Sequence, residues 1–151
     1  IFSLTVIITL IEPITMTCLH FMLFHGANID LEPSNSEYYQ QNRKEFIGED
    51  DYTSPKTYQA AADWLEKHGD EDDFMLWVEG FDPHEPWDPP EYMVKKYDPD
   101  YDGTPMIHPN YGKASDLSDA ELRNLRAHYC AEAELVDRWV LEYAELYAAK
   151  G

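Results

Sequence analysis

The side chains best equipped for chemistry sit together in one loop, Phe81-Asp82-Pro83-His84-Glu85-Pro86-Trp87-Asp88-Pro89-Pro90. An imidazole can donate to an anionic oxygen or carry a proton, so His84 is the leading catalytic and substrate-binding candidate. Asp82 and Glu85 are carboxylates close enough in sequence to work with it. Asp82 and Trp87 are the accompanying substrate-binding candidates. Four prolines fix φ through this loop and hold it stiff. The sequence weighs a second reading equally: His84 as an ordinary loop histidine bonded to Asp82 or Asp88.

The other reactive residues carry less. His108 and His128 read as surface histidines. His20 and His25 are five apart, not the i, i+4 spacing of a helical metal pair. Cys18 and Cys130 fit no zinc or redox spacing. Asp98-Pro-Asp100-Tyr-Asp102-Gly103 imitates the opening of a calcium loop, but the twelfth position is Pro109 where an acid is required. A turn is the better reading. The sequence contains no Gly-rich phosphate loop, G-x-S-x-G elbow or H-E-x-x-H motif.

The elements that must position His84 are legible around it. Phe74 to Val78 is a short apolar run rich in aromatic and branched residues, and reads as a buried strand. Ligands in open α/β sheets bind beyond the carboxyl ends of strands, where this loop begins. Ser54 to His68 reads as a helix, with Ser54 as N-cap, Pro55 in the first turn and Gly69 as the stop. Tyr58, Ala61, Ala62 and Leu65 share one of its faces. Ser118 to Lys150 is the strongest helix, opened by a capping box between Ser118 and Glu121. Its expected stripe is Leu122, Leu125, Tyr129, Val136, Trp139, Val140, Tyr143, Leu146 and Tyr147, with room for a break near Cys130 to Ala133. Helix, short turn and buried strand make half of a βαβ unit, so the expected class is α/β. The two helices are expected to flank the strand through Tyr58, Leu65, Trp139 and Val140.

Residues 1–29 hold one charged side chain, Glu12. Glu12-Pro13 divides two apolar blocks that together approach the roughly 20 residues of a membrane span. A charge and a proline at the midpoint oppose that reading. No basic residue precedes Arg43, as a signal peptide would require. Ile1 to Ile11 reads better as a strand. Residues 30–53 read as a long surface connection, with a short helix around Tyr38 to Lys44. The net charge of −19 over 151 residues argues against nucleic acid as a partner, since neutralising phosphates needs clustered Lys and Arg.

From about Tyr39 onward the chain resembles a sulfatase of the alkaline-phosphatase-like superfamily. The pieces that carry the resemblance are YYQQNRKEF, TYQAAADWLEKH, FMLWVE, FDPHEPWDPPEYMVKKYDPDYDG, HPNYG and SDAELRNLRAHYCAEAELVDRWV. The resemblance divides the chain into an unmatched segment, 1–38, and a catalytic-domain fragment, 39–151. FHGANID is a weak echo of the family's F-H-R-G-F-D segment. The implied fold is the central part of a mixed-sheet sandwich with flanking helices, incomplete here. The implied activity is hydrolysis of sulfate esters, small or glycan-borne, with phosphate and phosphonate esters as the related alternative. The implied cofactor is calcium, and the family's P-H-x-P histidine, which contacts sulfate, falls on His84. Neither cysteine is followed by the x-P-S-R that makes the family's formylglycine nucleophile. The N-terminal Asp-Asp metal pair and the later S-D-H-G stretch are also missing. The expectation is therefore an inactive fragment with uncovered sheet edges that aggregates readily. A non-catalytic acidic interaction module is the alternative from another class.

Overall fold

The computed structural model describes residues 2–11, 16–25, 43–71, 74–109 and 111–148, with side chains from Lys44 onward except at 74, 75, 146 and 147. The proposed helix from Tyr38 lies mostly outside the described residues, as does most of the FHGANID stretch. Arg43–Glu45 forms a single 3-10 turn.

Ile, Val and Thr crowd χ1 and favour extended backbone, and the first apolar block is a strand as expected, β1 (Phe2–Ile11). The second block is also a strand, β2 (Met16–His25). The two pair antiparallel from Phe2↔His25 to Ile11↔Met16. The strand that precedes the His84 loop is β3 (Phe74–Glu79). It pairs antiparallel with the other side of β1, from Thr5↔Glu79 to Leu10↔Phe74, giving the order β2-β1-β3.

This overturns the α/β expectation. Helix dominates the described residues, and the strands there are antiparallel, so they build neither a βαβ unit nor a mixed-sheet sandwich. Nor do the two long helices flank β3. Helix α1 (Thr53–His68) lies mainly against α3 (Asp119–Ala148), with α2 (Glu91–Tyr97) packed on α3 as well. The cause lies in the helix faces. Ala61 of α1 and Ala127 and Ala131 of α3 are buried and small, which lets helix backbones approach closely. β3 is an edge strand of six residues whose Trp77 is exposed, so it cannot serve as the centre of two helical layers.

The core forms where α2 crosses α3. Met93 and Val94 meet Ala127, Ala131 and Leu135, with Tyr52 and Trp139 alongside. Full burial of side chains such as Met93 and Leu135 contributes roughly 1.5–3 kcal/mol each. Around this core Glu49 gathers donors from three places: Tyr92 Oη, the Arg138 guanidinium and, at 3.1 Å, Trp139 Nε1. Glu134 accepts from Lys96 Nζ and Tyr97 Oη, fastening α2 to α3 a second time. No described helix is long and apolar enough to cross a membrane.

Of the helix ends read from sequence, only the start of α1 is altered. The capping box stands as expected: Glu121 N–H donates to Ser118 Oγ at 3.3 Å, and Ser118 N–H donates to Glu121 Oε2 at 2.8 Å. α3 then runs unbroken through Cys130 to Ala133. In α1 the N-cap is Tyr52, and Ser54 lies inside the first turn. Gly69 closes that helix, its N–H donating to the Leu65 carbonyl at 2.8 Å.

Candidate functional site

β3 delivers the chain to Gly80, which lies under α1. A Cβ built on Gly80 would stand 3.0 Å from Tyr58 Oη, so a side chain there would require the Tyr58 ring to give by a few tenths of an ångström. Two residues on, Asp82 Oδ2 accepts the Ser54 hydroxyl at 2.7 Å. Burial, and secondarily the Asp82 charge, holds the Tyr58 phenol above its ordinary pKa. Asp82 therefore faces α1 and fastens the base of the loop; the structure does not join it to His84 as a carboxylate partner.

His84 is half exposed, with 51% of its side chain accessible. Its Nδ1 lies 2.9 Å from the Glu85 carbonyl oxygen. A carbonyl only accepts, so Nδ1 carries the proton and donates. Glu85 Oε2 stands 3.4 Å from the same nitrogen, and the Phe81 ring lies 4.2 Å from the imidazole centroid to centroid. These contacts use Nδ1 or the ring face. Nε2 remains for an incoming group among the described residues. The reading of His84 as a histidine bonded to Asp82 or Asp88 does not match this geometry.

Trp87 is the hinge pin of the loop. Its indole Nε1 donates to the Pro83 carbonyl at 3.0 Å, reaching back across His84. Its backbone N–H donates to the Ile107 carbonyl at 2.6 Å. Its ring meets Tyr129 of α3 edge-on at 5.1 Å. Its indole N–H is thus engaged within the loop, while the ring is only partly buried. Pro86, Pro89 and Pro90 are buried beneath. The Asp82–Pro83 and Glu85–Pro86 peptide bonds are cis.

His128 corrects the surface reading. It is 8% exposed, and its Nδ1 donates to the Trp87 carbonyl at 2.9 Å. Burial lowers its pKa below the ordinary 6.5, against the opposing pull of the Trp87 carbonyl, Asp88 and Asp98. Asn124, one turn earlier, is 3% exposed. It accepts the Met106 N–H at 3.0 Å and donates to Asp98 at 3.4 Å. Neither residue stood out in the sequence. The available signal was their helical spacing with Ala127, Ala131 and Leu135, which places them on one face. His108 donates to the Pro109 carbonyl at 2.9 Å and lies beside Tyr111, apart from His84.

An open cleft of about 480 Å³, which includes no residue of the His84 loop, is lined by Asp98, Asp100, Asp102 and Glu121 with Arg123. Two of these four acids, Asp98 and Glu121, are already engaged. Asp98 is held by Asn124 and lies 3.9 Å from Arg123 Nε, and Glu121 caps its own helix. Among the described residues no three His, Cys, Asp or Glu side chains converge to hold a metal ion.

With the geometry in place, comparison with known proteins adds nothing: no family model, curated protein or solved structure matches the chain.

Proposed function

We propose that Phe81–Pro90 is the anion-contacting arm of a sulfatase-type ester hydrolase, with His84 as the group that meets the sulfuryl oxygens. The observation that carries this is the half-exposed imidazole, engaged through Nδ1 and open at Nε2, on a loop fastened at both ends. Because Nδ1–H already donates to Glu85, Nε2 can donate to an oxyanion only from the imidazolium. A preorganised donor of this kind gains strength as charge develops on the transferring group. The reading rests on the loop and its residues and takes nothing from the sheet topology.

The 151 residues include neither a formylglycine motif nor a convergent set of metal ligands among those described. This chain by itself is expected to hydrolyse no chromogenic sulfate ester. The decisive experiment uses a sulfatase that contains this same loop. Alanine at the position of His84 is expected to lower turnover by about 10²–10³-fold, the scale of losing one such donor. Alanine at the position of His108 should change it far less. Equal turnover in both variants would overturn the assignment. Parallel assays with aryl sulfate, phosphate and phosphonate esters decide which ester class the arm serves.

A further inference from the structure

We propose that His128 is the positioning residue of the His84 loop, suspending it from α3 through the Trp87 carbonyl; the functional part of this inference rests on the reading of His84 given above. The Trp87 peptide group is gripped on both sides. Its N–H goes to Ile107, and its carbonyl takes the His128 Nδ1–H. The segment carrying Ile107 is itself tied to α3, because Asn124 accepts the Met106 N–H. Asn124 and His128 are one turn apart on the buried face of the helix, so one rigid element holds both halves of the clasp. From Trp87 the indole N–H returns to Pro83, and the residues between them are His84, Glu85 and Pro86. His84 is thus held by a short closed circuit whose far end is α3. A buried histidine on a helix face is costly unless bonded, and this one spends its donor on the loop rather than on the core.

The test uses the full chain and amide hydrogen exchange followed by NMR, with inorganic sulfate as the probe of His84. His128→Leu removes the donor and leaves the Trp87 carbonyl buried and unmet. Exchange at the His84 and Trp87 amides is expected to rise about tenfold or more, the equivalent of one lost buried hydrogen bond. The Ala61 and Leu65 amides of α1 should stay unchanged. His128→Asn, whose amide nitrogen lies where Nδ1 lies, should restore the loop amides to within a few-fold of the original. Where the Leu variant does not fold, His128→Gln displaces the donor by one bond and should loosen the same two amides to a smaller extent. The sulfate-induced shift of the His84 ring should weaken with loop loosening and return in His128→Asn. Loop amides that do not respond, or that respond together with α1 and are not rescued by Asn, overturn the proposal. A loop that responds as expected around a His84 that never senses sulfate leaves the clasp standing and removes the anion-contacting reading instead.

Discussion

A single hydroxyl shows how local and tertiary demands compete at one residue. Ser54, followed by Pro55, has the composition of a helix N-cap, yet the helix starts before it and Tyr52 caps without a side-chain bond. The hydroxyl is drawn instead to Asp82, 28 positions along the chain, at 2.7 Å and almost fully buried. A hydrogen bond to a carboxylate contributes about 1.5–3 kcal/mol, at least as much as a typical cap. Ser54→Ala is therefore expected to lower stability by about that amount, read as a shift in the urea midpoint with unchanged slope. Asp82→Asn keeps an acceptor and should cost less. A Ser54→Ala loss under roughly 0.5 kcal/mol, the range of ordinary surface changes, would show that the base of the loop is not held this way. The same contrast explains His84. Its type and its prolines were legible in the sequence; its partner was not, because bonds to Asp82, Asp88 and the Glu85 carbonyl are all compatible with the same ten residues.

At the scale of elements, helix existence was readable and helix orientation was not. The capping box at Ser118 and Glu121 is a local bond pattern, so it can be read locally. The stripe through Leu122, Leu125 and Tyr129 follows bulk hydrophobicity, but the buried line is Asn124, Ala127, His128, Ala131, Glu132 and Leu135. Small residues win the interface because α1 and α2 must come close, and Asn124 and His128 bind irregular backbone. Hydrophobic periodicity cannot see either reason. β3 was placed correctly as a strand, while its antiparallel partner lies in the first eleven residues, far from any local signal. The face assignment has a direct check. Leu135→Ala, at 0% exposure, should cost about 2–5 kcal/mol. Leu141→Ala, on the same helix but 55% exposed, should stay within about 0.5 kcal/mol. Comparable losses at the two positions, measured by denaturant unfolding, would mean that α3 presents a different face to the core.

Over the whole molecule, the buried histidine and the acidic surface make opposite demands as pH falls. The folded state holds the His128 pKa below its ordinary value of 6.5, chiefly by burial. The unfolded chain therefore binds this proton first. Stability is fully present above 6.5, declines as pH falls below it, and levels off beneath the depressed folded value. Asp88 and Asp98 are the charges that limit the shift. A second decline lies lower. Glu121 and Glu134 are held below 4.5 by Ser118 and by Lys96, and Asp51 below 3.8 by the Ile47 and Gly48 amides, so these groups lose stabilisation only as they protonate. Meanwhile a net charge of −19 is relieved by acid, which favours the compact state. Comparison of the chain with its His128→Asn variant at each pH cancels that relief, since both carry the same carboxylates. The stability difference is expected to move in favour of the variant as pH drops through the first window and to stay constant through the second. Salt should raise the melting temperature of both proteins alike by screening the repulsion. A difference that is flat across the first window would mean that His128 titrates as freely in the folded chain as in the unfolded one, and is not buried against the Trp87 carbonyl.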